Sequence, residues 1–159
     1  MTDNKSVQTS TALLDIRNLS VDYEIREGTI RAVNDVDLKI YPEEAMAIVG
    51  ESGCGKSTLA YAIVRQIPSP GQIKGGEIRF EGQNLLNLRE NELRQFRWRD
   101  IAMVFQAAQN SLNPVMRVAD QIIDTAQAHG PMSKSDILDK ASELLKMVRL
   151  EPDRVLHSF

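Results

Sequence analysis

Leu19, Val21, Tyr23 and Ile25 alternate with polar residues, the period of two that marks a strand with one buried face. Glu27-Gly28-Thr29 reads as a turn, and Val36, Leu38 and Ile40 alternate again, so a second strand is expected to pair with the first. Pro42-Glu43-Glu44 breaks the pattern. Residues 45–49, Ala-Met-Ala-Ile-Val, are then apolar without interruption. Such a run predicts a strand buried on both faces, as in a parallel sheet covered by helices.

A glycine loop, residues 50–55, follows, and Leu59, Ala60, Ile63, Val64 and Ile67 then take helical spacing. Pro68-Ser69-Pro70-Gly71 ends that helix. Gly75-Gly76 opens a short strand around Ile78 and Phe80, closed by Glu81-Gly82. Residues 91–98 read as a short charged helix, and residues 101–105 as a second apolar strand ending at Gln106. The remainder is helical: Met116, Ile122, Ile123 and Ala126 share one face, preceded by Pro114. Ser133 followed by Asp136 resembles a capping box with Asp in place of Glu. Ile137, Leu138, Ala141, Leu144, Leu145 and Val148 form an amphipathic stripe, read as internal packing rather than a docking face. The order predicts an α/β fold with an added antiparallel β layer and a helical segment.

The chain has 159 residues, 19 Lys and Arg against 22 Asp and Glu for a net charge of −3, and one cysteine, Cys54. The length suits one domain of about 100–150 residues with an appendage, and the 42% hydrophobic and 26% charged composition suits a globular chain. A disulfide scaffold is excluded by the single cysteine. The slight acidic excess argues against nucleic acid as a partner. No apolar run approaches the roughly 20 residues a spanning helix needs. Residues 1–12 contain no apolar core of a signal peptide and are expected to form a mobile tail.

Gly50-Glu-Ser52-Gly53-Cys54-Gly55-Lys56-Ser57 fits G-x-x-x-x-G-K-[ST]. The chemistry needs each part. Glycines let the backbone turn successive N–H groups inward as an anion nest. The helix that starts at the loop presents its positive dipole end. Lys56 reaches the β and γ phosphates, and the Ser57 hydroxyl ligates magnesium. The motif stands where that reading requires, after an apolar run and before a helical pattern. Cys54 is taken to contribute its backbone N–H; its oxidation would crowd the phosphate site.

The run from Ala47 to Thr58 resembles the Walker A segment of ABC transporter ATPases, and Met103-Val-Phe-Gln106 resembles their Q-loop. Asn110-Ser-Leu-Asn-Pro-Val115 is similar to a stretch in ATP-binding subunits of the oligopeptide and dipeptide importer group. Val21-Asp-Tyr23 followed by Arg31-Ala-Val33 resembles the start of the same domain. The resemblance covers residues 13–159 and implies a P-loop NTPase core with an N-terminal antiparallel β-subdomain and the start of a helical subdomain. It implies residues 1–12 as tail, 13–106 as the ATP-binding core and 107–159 as the beginning of the helical subdomain. Tyr23 would stack on adenine. Gly50, Ser52, Gly53, Cys54, Gly55, Lys56, Ser57 and Thr58 would hold the phosphates of ATP. Ser57 and Gln106 would ligate Mg2+, with Lys56 and Gln106 as the catalytic residues.

The resemblance further implies a second ATPase subunit in a head-to-tail dimer, membrane permease subunits, an external solute-binding protein acting indirectly, and a cytoplasmic place on the inner face of the membrane. Two departures stand out. Glu43-Glu44 replaces the Gly-Glu usual before the buried strand. The Leu-Ser-Gly-Gly signature, a Walker B strand ending in Asp-Glu and the switch histidine do not occur in the 159 residues. Asp139, followed by Lys140 in a helical pattern, does not serve as Walker B, and His129 and His157 do not stand where the switch histidine would. The expectation is an incomplete domain, the N-terminal part of a transport ATPase, that binds nucleotide weakly at best, does not hydrolyse it, and aggregates or dimerises through uncovered apolar surface. A soluble P-loop ATPase, for example in DNA repair, and a short non-hydrolysing nucleotide-binding protein remain as alternatives.

Overall fold

A computed structural model describes residues 11–105 and 112–158, in two compact units, Met1–Arg97 and Trp98–Phe159. In the first unit the alternating segments form a hairpin. Strand β1 (Leu14–Ile25) pairs antiparallel with β2 (Gly28–Ile40), from Leu14 opposite Ile40 to Ile25 opposite Gly28. On its other edge β1 pairs with β3 (Gly71–Phe80), from Leu14 opposite Phe80 to Tyr23 opposite Gly71. A two-residue β4 (Gln83–Asn84) completes a sheet of order β2-β1-β3-β4. The strands alternate as the sequence requires: Ile16, Leu19, Val21 and Ile78 are fully buried. Leu85 of a 3-10 turn (Leu85–Asn87) and Leu93 of helix α2 (Glu90–Phe96) join them. Phe80 and Phe96 meet edge to face with centroids 5.1 Å apart. Each such aliphatic side chain contributes about 1.5–3 kcal/mol by leaving water.

Helix α1 (Lys56–Ile63) follows the glycine loop and buries Leu59 and Ala62. It ends a turn before the helical spacing predicts, at Val64, because Arg65 takes a left-handed conformation with φ 51°. Strand β3 starts at Gly71, earlier than expected, because β1 offers backbone partners as far as Tyr23. Helix α2 ends at Phe96, short of the exposed Trp98.

Two expectations fail. Residues 45–49 and 101–105 do not form buried strands: Ile48 is 47% exposed, Val49 90% and Val104 91%. A strand exists by pairing, and parallel strands are joined through long crossovers. Among the described residues neither run joins the four-stranded sheet, and no neighbouring strand covers Val49 or Val104.

The second unit holds α3 (Val118–His129), α4 (Lys134–Met147) and α5 (Pro152–Leu156). Ser133 caps α4, its Oγ accepting from the Asp136 N–H at 3.1 Å. The Asp136 carboxylate accepts the Ser133 hydroxyl at 2.7 Å rather than reaching back to the Ser133 backbone. The α4 stripe is only partly internal: Ile137 and Ala141 are buried, whereas Leu144 is 51% and Val148 65% exposed. A cleft of about 440 Å³ separates part of that stripe from Ile122 and Ala126 of α3, so its last turns have no packing partner there.

Candidate nucleotide-binding site

The glycine loop leads straight into α1, and its shape is set from two sides. Gly55, the N-cap of α1, has φ +97°, a conformation that side-chain-bearing residues rarely adopt. A Cβ there would also lie 2.2 Å from the Ala32 carbonyl oxygen. That oxygen stands forward because β2 bulges. Val21 faces Val33 and Asp22 faces Arg31, leaving Ala32 as the extra residue. The β2 bulge therefore seats the end of the loop. At the other end, a Cβ on Gly50 would lie 2.8 Å from Cys54 Sγ.

The first intrahelical bond runs from the Leu59 N–H to the Gly55 carbonyl at 2.9 Å. The N–H groups of Lys56, Ser57 and Thr58 thus lack helical acceptors. Gly55 offers no side-chain cap, and the first turn of α1 carries no acid. Three donors and the positive end of the helix dipole are left for an anion. The Lys56 ammonium arches over the loop, donating to the Gly50 carbonyl at 2.8 Å and the Glu51 carbonyl at 2.6 Å, with Cys54 Sγ at 3.5 Å. Neutral carbonyls leave its charge uncompensated, so an anion arriving over the loop meets a full positive charge already in place.

The structure therefore brings together Gly50, Ser52, Gly53, Cys54, Gly55, Lys56, Ser57 and Thr58. Ser52, Gly53, Cys54 and Ser57 are exposed, and Gly55, Lys56 and Thr58 are half-buried. Tyr23 is half-buried on β1, two residues beyond Val21, whose partner Val33 lines the Gly55 contact. Its ring covers Gly71: a Cβ at that glycine would lie 2.7 Å from Cε1 of Tyr23. Gln106 lies outside the described residues, as do Asn110 and Ser111. Sequence reasoning missed Ala32. Its part is played by a backbone carbonyl, and an alanine in a strand carries no signal of a bulge. Among the described residues no group of three or more His, Cys, Asp or Glu could hold a metal ion.

The sequence pattern of the family described as ABC transporter matches residues 33–158. The chain belongs to the ABC transporter family. It is 46% identical over 148 residues to the dipeptide transport ATP-binding protein DppD of Caldanaerobacter subterraneus, covering 92% of this chain and 45% of that protein. It is 37% identical over 147 residues to the oligopeptide transport ATP-binding protein OppD of Escherichia coli, covering 92% and 43%. The chain thus spans less than half the length of these curated relatives. Among solved structures it resembles a dimeric bacterial ABC transporter cassette, with TM-score 0.74 and 26% identity over 91% of this chain and 60% of that one. A second structure of that cassette is a post-hydrolysis state bound to ADP and Pi. The fold is that of an ABC cassette, present here as its antiparallel sheet, glycine loop and part of its helices.

Proposed function

We propose that this chain is the nucleotide-binding part of an ATP-binding subunit that powers uptake of a peptide-like solute. The observation that carries the proposal is the uncapped, acid-free start of α1 with the Lys56 ammonium poised over the loop. Three orphan N–H donors, a helix dipole and a fixed cation fit the closely spaced oxygens of a triphosphate. Transport of peptide-like solutes rests on the names of the relatives alone, which specify dipeptide and oligopeptide transport.

In this reading the loop from Gly50 to Gly55 wraps the phosphates, Lys56 neutralises the β and γ oxygens, and Thr58 contributes its N–H. Ser57 and Gln106 would hold magnesium, which supplies charge neutralisation across the phosphate oxygens when bound. The exposed Ser57 hydroxyl at the mouth of the loop fits that role. Tyr23 would offer its ring to the adenine, and Gln106 would orient a water. Residues 13–106 form the ATP-binding core in this proposal, and residues 107–159 open the helical subdomain.

The 159 residues contain no carboxylate in a Walker B setting and no signature segment, so we read them as binding MgATP without turning it over. The dimeric cassette neighbour supports a second ATPase subunit as partner. The transport ATP-binding names of the relatives support membrane permease subunits as partners; an external solute-binding protein acting through them and a place on the inner face of the membrane belong to the same proposal. Among the described residues no helix is long and apolar enough to cross a membrane. No observation favours the DNA-repair alternative.

Calorimetric titration of MgATP into the parent chain and Lys56→Ala tests the site. Charge-assisted hydrogen bonds contribute about 1.5–3 kcal/mol each, so the variant should bind about tenfold more weakly or worse. Equal binding by both would remove the assignment. Phosphate release above background by the parent would remove the non-hydrolysing part.

A further inference from the structure

The opposite end of α1 is gripped by one side chain. Arg97, the residue after α2, donates Nε to the Val64 carbonyl at 2.9 Å and Nη2 to the Arg65 carbonyl at 3.0 Å. Nη1 donates to Glu90 Oε1 of α2 at 2.9 Å. The Gln66 amide, with its oxygen turned to the guanidinium as these donors require, accepts from Nη1 at 2.8 Å and Nη2 at 2.9 Å. All five N–H donors of the guanidinium then have acceptors. The side chain is only 16% exposed. Arg65, set left-handed at the helix exit, points the other way and donates to the Leu85 and Leu88 carbonyls at 3.1 and 2.8 Å. The exit of α1 is thus tied on one side to α2 and on the other to the 3-10 turn.

We propose that Arg97 is a positioning residue for the phosphate site. It touches no part of the loop. It fixes the angle at which α1 presents Lys56, Ser57 and Thr58. The inference rests on the nucleotide-binding reading of that loop.

The physical reason is leverage. Helix α1 has eight residues and buries only Leu59 and Ala62, so side-chain packing resists tilting weakly. Eight residues span about 12 Å, and a tilt of about 5° at one end displaces the other by about 1 Å. Displacements of that size, made far from the chemistry, cost about two orders of magnitude in reactions that depend on orientation. The N-terminal end is held by contact of Gly55 with Ala32, which blocks approach but not rotation. The guanidinium at the C-terminal end also complements the negative end of the helix dipole.

The test is MgATP titration of the full chain for the parent, Arg97→Met, Arg97→Lys and Ile78→Val, at a temperature where circular dichroism shows each folded. Arg97→Met should bind about tenfold more weakly or worse, as expected for phosphate contacts losing their geometry. Arg97→Lys should be intermediate, since an ammonium is a point charge and cannot reproduce the planar fork. Millimolar methylguanidinium should recover part of the affinity of Arg97→Met. Ile78→Val, which only thins the sheet core, should lower Tm and leave affinity unchanged. Parent-like binding by both Arg97 variants, or a loss no larger than that of Ile78→Val, overturns the proposal. If Arg97→Met fails to fold, the lysine variant decides in the same way. A parent chain that does not bind MgATP overturns the nucleotide-binding reading itself, a result distinct from intact parent binding with indifferent Arg97 variants.

Discussion

Leu19 and Val21 in β1 have no accessible surface, while Val49 and Val104 are 90% and 91% exposed. All four are aliphatic, so the hydrophobicity of the residue does not separate them. Neighbours do. Strand β1 lies between β2, joined to it by a hairpin, and β3, which returns after α1, and it pairs antiparallel with both. Residues 45–49 and 101–105 have the composition of parallel core strands, whose partners arrive through crossovers. Among the described residues no strand of the sheet pairs with them, and the curated relatives are more than twice as long as this chain. An apolar residue states a demand for cover, and antiparallel neighbours on both edges are what meet it in β1.

The largest effect that could break this comparison comes from truncating one residue on each side of it. Leu19→Ala should cost about 2–5 kcal/mol, the usual range for emptying a filled core site. Val49→Ala should change stability by less than about 0.5 kcal/mol, as for an exposed position. Urea denaturation of the three proteins measures both. A comparable loss at Val49 would mean that the run from 45 to 49 is buried in solution.

The same contrast explains what was legible in the sequence. The turn expected at Glu27-Gly28-Thr29 sits at Arg26-Glu27, with Gly28 and Thr29 already in β2. The period-two strands, the loop that opens α1 and the Ser133 cap are all specified by residues within a few positions of one another. Each is found in the structure. The buried strands at 45–49 and 101–105 needed distant partners, and composition cannot report whether a partner is present. The loop residues of the site were legible because their chemistry demands side-chain types at fixed spacing. The bulge at Ala32 and the Arg97 clasp were not, because both work through backbone carbonyls, which every residue carries.

A smaller effect sharpens the boundary between the exposed loop and the buried sheet. Gly55 and Gly82 both have positive φ, +97° and +83°, but a Cβ at Gly82 meets nothing within 4 Å, whereas one at Gly55 would strike the Ala32 carbonyl. Both alanine variants carry the backbone strain of about 1–3 kcal/mol. Gly55→Ala must in addition push the loop off the sheet, so it should lose more stability than Gly82→Ala in urea and weaken nucleotide binding as well. Equal losses at the two positions would show that the bulge exerts no hold on the loop.

The smallest effect is the response to acid, and it falls on the sheet. Asp22 is nearly buried on β1, and Arg31 on β2 donates Nε to Oδ1 at 2.8 Å and Nη2 to Oδ2 at 3.1 Å. Hydrogen bonding from Arg31 holds the Asp22 carboxyl below its ordinary range, aided by the charges of Arg31 and Lys74 and opposed by burial. Asp15 is held down in the same direction by Arg17, yet its Oδ1 is buried without a partner. A carboxylate whose folded value is depressed adds stability above its unfolded value, and that contribution disappears as pH falls through the folded one. The urea midpoint should therefore be flat near neutrality and fall from about pH 4 downward, where free carboxyls protonate. Asp22→Asn should flatten that fall more than Asp15→Asn, because both oxygens of Asp22 are engaged and only one of Asp15. The guanidinium partners are about half exposed, so solvent screening keeps each contribution modest. A midpoint with the same acid response in Asp22→Asn as in the parent would place the acid-sensitive pairs elsewhere, with Glu77 and Arg79 on β3 next in line.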